Sequence, residues 1–513
     1  GTVLGLQSGN RTQGHRFMGA REIVLPHAAQ YESVLREEGK VIADFDVRRR
    51  LIGVELAAEA KRLGGALGEF ERLLDEVTAL VEHPSVYAAQ FDPAFLQVPQ
   101  ECLILTMQQN QKYFPLFDGS GKLLPAFLVV SNMEVADSRH IVSGNERVVR
   151  PRLEDARFFF DQDRKTRLEA RVPGLAKVVY HGKLGSQLER VERIQLLAGA
   201  IARLLKADPA LAERAAWLSK ADLLTGMVGE FPELQGTMGR YYAMHDGEPR
   251  AVADAIAEHY LPRFAGDRLP ESGVSAAVAL ADKLDLLAGM FGIGQHPTGE
   301  KDPFGLRRAA LGVVRILVER KLPLSLHELL EHAFREYQGK IADAHTDVQL
   351  FIADRFAGYL KDQGFSVQQI EAVLSQNPAR LDLVPLQLEA VRAFESLPEA
   401  ESLAAANKRI GNILKQAGAL PKEFDASLLS QPEEKALAAA FQATEKSFDA
   451  AYRELQFTRA LQALASLKAP VDAFFDKVMV MDKDERIRAN RIGFLGRLHG
   501  TMNRIADLSK LAK

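Results

Sequence analysis

One cysteine and one tryptophan in 513 residues leave little room for sulfur or indole chemistry. The lone Cys102 excludes an internal disulfide and any zinc site built from several thiolates, and its place in the apolar run CLILTM marks it as a core side chain. No apolar stretch approaches the roughly 20 residues that cross a bilayer, and no secretory leader pattern opens the sequence, so the expected location is the cytoplasm. Charge of one sign is also missing. A formal net charge of −3 argues against a surface coated with basic residues, so any contact with nucleic acid has to come from local patches. There is no internal repeat and no low-complexity tract. What remains is the composition of an ordinary globular protein, 47% hydrophobic and 26% charged. At this length a prior of about 150 residues per domain implies three or four domains.

The first part of the chain mixes strand and helix signals. ECLILTM (Glu101 to Met107) and AFLVVSNM (Ala126 to Met133) are apolar runs of strand length, and KYFPLFDGSGKLLPAF reads as a hairpin closed by Asp118-Gly119-Ser120-Gly121. Gly121-Lys122 is not a phosphate loop: the first glycine of that motif would fall at Leu116, and no Ser or Thr follows Lys122. Between Gly144 and Arg171, basic residues interleave with Phe158, Phe159 and Phe160. That mixture suits phosphate contact with stacking, yet Glu154, Asp155, Asp161 and Asp163 equally allow ion pairs within one helix.

From about Leu175 the pattern turns helical. His245-Asp246 is followed at once by Gly247-Glu248-Pro249 and marks a turn. In PTGEKDPFGLRR, Pro297, Gly299, Pro303 and Gly305 predict a rigid irregular loop, with a helix beginning at Arg307-Arg308. Lys301, Arg307 and Arg308 there would grip an RNA backbone; the competing reading is a loop packed internally, with Asp302 pairing to an arginine. DQGFS (Asp362 to Ser366) and SQNPARLDLVP (Ser375 to Pro385) mark turns in a further helical stretch.

The most informative segment is PVDAFFDKVMVMDKDERIRANRIGFLGRL, Pro470 to Leu498. From Ile492 onward apolar residues recur at Leu495, Leu498, Met502 and Ile505, the spacing of one buried helix face. Steps of about 100° per residue then group Arg486, Asn490, Arg497 and Arg504 on the opposite side. Arginine offers a planar donor fork to phosphate or guanine, and asparagine both donates to and accepts from a base edge. Gly493, Gly496 and Gly500 count against the helix, each costing up to about 1 kcal/mol relative to alanine. Residues 401–513 carry 18 Lys/Arg against 14 Asp/Glu, a balance of +4 that leaves −7 for the remainder.

This passage, with Asn407-Lys408-Arg409-Ile410 upstream, resembles the DALR-type anticodon-binding domain of aminoacyl-tRNA synthetases. MQQNQKYFPLFDGSGKLLPAF, GNERVVRPRLEDARFFFDQD and PTGEKDPFGLRRAALGVVRIL resemble the beta subunits of bacterial heterotetrameric glycyl-tRNA synthetases. The likeness runs from RTQGHRF, near Arg11, to the C-terminus. Chains of that family usually extend further at the N-terminus, so a truncated start is expected.

The resemblance implies a multidomain, mostly α protein. It predicts a mixed α/β module over 1–174 like that of the phenylalanyl-tRNA synthetase beta chain, a degenerate HD-like helical domain over 175–324, a helical linker over 325–400 and a DALR-like domain over 401–513. Lys220-Ala221-Asp222 and Ala281-Asp282-Lys283-Leu284-Asp285 resemble the later motifs of HD phosphohydrolases, with Ala221 where a metal-binding histidine belongs. A methyl group is no ligand, so neither metal nor hydrolase activity is expected. His181 and His259 are either remnants of such a site or packing residues. The implied function is tRNA recognition for glycylation, with Asn407, Lys408, Arg409, Arg486, Arg488, Asn490, Arg491 and Arg497 at the anticodon and Lys301, Arg307 and Arg308 on the backbone. No HIGH, KMSKS or class II arginine motif is present, so no catalytic residue is assigned to this chain. In the family the alpha subunit activates glycine with ATP and Mg, two alpha and two beta chains assemble, and the beta subunit holds glycine tRNA. The alternatives are an HD-family phosphohydrolase and a non-catalytic RNA-binding or assembly module.

Overall fold

The computed structural model describes residues 1–418 and 424–512. Its contacts group into two compact units: one comprises Gly1–Arg171 with Ala221–Gly247, the other Val172–Lys220 with Glu248–Lys513. No described helix is long and apolar enough to cross a membrane.

The first unit is built on a four-stranded antiparallel sheet, in the order Ala66–Leu67, Phe114–Phe117, Leu123–Ser131, Ser85–Gln90. The predicted hairpin forms, with Phe117 paired to Leu123 and Asp118 accepting from the backbone N–H of Ser120 and Lys122. Helices Phe45–Arg62 and Glu71–Leu80 cover the sheet: Ile52, Leu56, Leu74 and Val77 form one core with Phe114, Leu116 and Leu128. The strand expected at ECLILTM is instead helix Gln100–Leu105 running into a wider turn, Thr106–Asn110. Cys102, Leu103, Thr106 and Met107 are its buried residues, and that three-to-four spacing is helical rather than alternating.

Arg139–Asp163 is one long helix despite Pro151. It buries Val149, Leu153, Ala156, Phe160 and Asp163 at helical intervals and leaves Arg147, Arg150 and Arg152 exposed. Asp163 takes the backbone N–H of Gly226 and Met227 (2.8 and 2.9 Å) and the Tyr242 hydroxyl (2.9 Å), which ties segment 221–247 to this unit.

The second unit is almost entirely helical. Ser186 closes a capping box with Glu189 at the start of helix Gln187–Leu204. Helix Gly273–Gly292 is buried on nearly every side, which makes it the central element of this unit. DQGFS and SQNPARLDLVP connect helices His345–Asp362, Val367–Leu374 and Val384–Glu395, with Ser366 capping the second.

Candidate nucleic-acid interface

Helix Glu485–Met502 begins where Asp484 accepts from the backbone N–H of Arg486 and Ile487. It runs unbroken through its three glycines. Ile492, Leu495, Leu498 and Met502 lie at 6% exposure or less, and burying each large apolar side chain contributes about 1.5–3 kcal/mol, more than a glycine costs.

Three residues predicted to face RNA face inward instead. Asn407 and Asn503 exchange amide hydrogen bonds (2.8 and 3.0 Å) in the interior, and Asn503 also accepts from Leu508 N–H. Asn490 receives the backbone N–H of Asp425 (2.6 Å) and donates to its carbonyl (3.0 Å). Arg491 is among the most buried side chains of the protein. It pairs with Glu434 and Asp482 and donates to the Met479 carbonyl at 2.7 Å. Glu434 in turn accepts from the backbone N–H of Ser430 and Gln431. All three side chains bond within the fold: Asn407 holds Asn503, Asn490 fixes Asp425, and Arg491 holds Met479 and Asp482 and, through Glu434, Ser430 and Gln431. The predicted stripe therefore loses Asn490 to the core.

The remaining cations of this region lie at the surface. Arg497 makes a two-pronged pair with Glu445 (3.0 and 2.7 Å). Arg504 pairs with Asp449 and lies 4.2 Å above the Tyr452 ring. Arg409 stacks 4.3 Å above Phe475. Arg488 donates to the Asp482 carbonyl at 3.1 Å. Lys408 and Arg486 are exposed and have no ion pair among the described residues.

Helices Ala400–Ala417 and Glu485–Met502 enclose a groove of about 780 Å³ lined by Lys408, Gly411, Lys415, His499, Gly500 and Arg504. Lys415 also lacks an ion pair among the described residues. Burial, above all, lowers the His499 pKa, keeping its ring neutral at pH 7 with a donor and an acceptor. Lys415 and His499 were not singled out by sequence, whereas Arg504 stood in the predicted stripe without being assigned to the anticodon. Lys408, Gly411 and Lys415 follow one another at helical spacing, a signal available in the sequence.

The loop 297–308 turns at Gly305, in the left-handed region, into helix Leu306–Glu319. Asp302 caps that helix, accepting from Leu306 and Arg307 N–H (2.8 and 2.9 Å), so it binds backbone rather than an arginine side chain. Arg307 donates to the Gly299 carbonyl, while Lys301 and Arg308 are exposed without ion pairs among the described residues. Arg307 and Arg308 line a cleft beside helix His345–Asp362, not the C-terminal groove.

The positions likened to HD motifs form a network of internal ion pairs. Lys220 Nζ lies 3.0 Å from Asp282 and 2.7 Å from His259 Nε2, and Arg190 also reaches Asp282 at 3.0 Å. Arg190 and Arg193 both hold Asp285. Burial pushes the Asp282 carboxyl up, but Arg190 and Lys220 outweigh it and hold the group well below the usual carboxylate range. Burial first, and Lys220 second, keep His259 neutral. Ammonium and guanidinium groups thus neutralise the carboxylates that a metal would otherwise need. Among the described residues, no cluster of three or more His, Cys, Asp or Glu is placed to hold a metal. Asp222 accepts from Gly236 and Gly239 N–H within the first unit.

Comparison with known proteins covers both regions. The profile described as glycyl-tRNA synthetase beta subunit matches residues 1–375, and that of the DALR anticodon binding domain matches residues 403–510. The glycine-tRNA ligase beta subunit of Thiobacillus denitrificans is 58% identical over 515 residues, covering 99% of this chain and 74% of that protein. That of Aromatoleum aromaticum is 58% identical over 515 residues, covering 100% of this chain and 74% of its own length. That of Delftia acidovorans is 56% identical over 517 residues, covering 99% and 73%. The chain belongs to the glycyl-tRNA synthetase beta subunit family.

Proposed function

We propose that this chain is the tRNA-holding subunit of a glycine-tRNA ligase, gripping the anticodon arm of glycine tRNA with its C-terminal helical region. Glycine is activated with ATP and Mg²⁺ on a separate alpha subunit, in an assembly of two alpha and two beta chains. The observation that carries the reading is the open groove between helices Ala400–Ala417 and Glu485–Met502, with Lys408 and Lys415 unpaired among the described residues, inside the segment that matches an anticodon-binding domain. Lys408, Arg409, Arg486, Arg488 and Arg497 remain the contact residues assigned by sequence, joined by Lys415, His499 and Arg504. Asn407, Asn490 and Arg491 shape that surface without touching RNA.

On this reading the subunit contributes to catalysis by position. Holding the acceptor end at the alpha-subunit site removes part of the entropic barrier to acyl transfer, an effect worth up to roughly 7–11 kcal/mol in the best-oriented systems. The test is titration of the chain with glycine tRNA carrying its own or a substituted anticodon, together with charging assays in the presence of purified alpha subunit. Tighter binding of the intact anticodon, weakened by Lys408→Ala and Lys415→Ala, supports the reading. Equal affinity for both anticodons would sink the anticodon assignment.

A further inference from the structure

Helices Leu306–Glu319 and His345–Asp362, the turn Pro262–Gly266 and the start of helix Val367–Leu374 enclose a cleft of about 940 Å³. That volume lies within the roughly 300–1,000 Å³ of small-molecule sites. One part of the wall is apolar, including Leu311, Ala357 and Ile370, and two aromatic rings stand by it: Phe264, 63% exposed, and Tyr359.

The charges of the cleft do not balance. Six cations, Arg263, Arg307, Arg308, Arg315, Arg355 and Lys361, face four lining carboxylates and Asp267, which pairs with Arg263 from outside the lining. Three of the lining carboxylates are already engaged: Glu319 holds Arg315 at 2.7 Å, Asp354 holds Arg355, and Glu371 lies 3.8 Å from Lys510. Arg308 and Lys361 have no ion pair among the described residues.

More cations lie in the neighbouring core. There Arg190, Arg193, Lys220 and Lys283 are buried, and Asp282 and Asp285 pair with the first three of them. The stem of Lys283 fills the space in front of Gly312, one of the residues lining the cleft. Cations set in a partly apolar, low-dielectric wall strengthen the field at the cleft surface and select an anion.

We propose that this cleft binds a phosphorylated nucleoside, its phosphate drawn by Arg308 and Lys361 and its base lying on the apolar wall beside Phe264 and Tyr359. Charge selects the phosphate, and the aromatic rings select a planar group that stacks. A free nucleotide and an unpaired nucleotide of an RNA strand share this chemistry. The proposal rests on the tRNA reading only for the second source.

The experiment uses the full chain and follows fluorescence polarisation of a dye-labelled single-stranded RNA hexamer, with adenosine 5′-diphosphate and adenosine as competitors. Binding of an anticodon stem-loop to the same samples is recorded alongside. The expected result is that the hexamer binds and that Arg308→Gln with Lys361→Gln weakens it about tenfold or more. The same pair of changes should make the salt slope shallower by about 0.7 per lost phosphate contact. Phe264→Ala should weaken it further, and the anticodon stem-loop should bind all variants alike. Competition by the diphosphate but not by adenosine supports the site with free nucleotide as a source. Hexamer binding that the diphosphate leaves untouched, but that the double variant loses, supports it with RNA as the source. A hexamer that does not bind, or that binds wild type and double variant equally, overturns the proposal. Because the stem-loop reports on the C-terminal groove, its loss with hexamer binding intact would sink the anticodon reading alone.

Discussion

Arg491 is a cation held inside the fold. It sits at 2% exposure between Glu434 and Asp482, and removing one partner of such a buried pair leaves an uncompensated charge. Arg491→Ala is expected to cost about 3–5 kcal/mol in urea unfolding, whereas Arg497→Ala, on an exposed pair with Glu445, should cost less than about 1 kcal/mol. If the two variants unfolded at the same urea concentration, the structural role assigned to Arg491 would fail. Lys283 gives a second expectation. Burial, only partly offset by Asp282, lowers its pKa from 10.5 to about 8. Between those two values the unfolded chain binds more protons than the folded one, so stability should rise with pH from about 8 toward 10, by up to roughly 3 kcal/mol. Above about 10 the buried tyrosines, whose pKa values burial raises, turn the slope the other way. Above about 9 the buried Cys102 thiol, whose pKa burial raises, opposes this rise, so melting temperature should climb more across this window in the wild type than in Lys283→Met; parallel profiles would refute the assignment.

At the level of elements, sequence period was a good guide where one face is buried and a poor one where burial is broader. The hairpin at Asp118–Gly121 was legible because the turn residues and strand lengths agree. ECLILTM was not, since a short apolar run has no period of its own until its neighbours bury it. The C-terminal helix was legible from Ile492, Leu495, Leu498 and Met502, yet its buried face also takes in Asn490, Arg491 and Phe494. A helical wheel gives a direction but not a partner, and neither Asp425 nor Glu434 can be matched to this helix from sequence alone. The docking of segment 221–247 through Asp163 escaped for the same reason. Gly500 offers a test of the balance between propensity and packing: its backbone is helical and a Cβ there would meet nothing within 4 Å. Gly500→Ala should therefore stabilise the protein by about 0.5–1 kcal/mol in urea unfolding. A loss of stability would show that the helix needs glycine there.

For the molecule as a whole, the central constraint is a polyanionic ligand set against a protein of net charge −3. Long-range attraction is then weak, and affinity has to come from a few cations free to release counterions from phosphate. Most arginines around the C-terminal groove are already engaged, Arg497 with Glu445 and Arg504 with Asp449, whereas Lys408 and Lys415 have no ion pair among the described residues. A free lysine releases an ion on meeting phosphate, while a paired arginine must first give up its carboxylate and gains little. Lys408→Ala and Lys415→Ala are therefore each expected to make the plot of log affinity for glycine tRNA against log salt shallower by about 0.7–0.9. Arg497→Ala should leave that slope nearly unchanged, because its charge is already balanced by Glu445 and releases little counterion on meeting phosphate. Filter binding at four or more salt concentrations measures all three slopes. A slope that fell with Arg497→Ala but not with either lysine variant would place the phosphate contacts on the paired arginines and the groove outside the tRNA footprint.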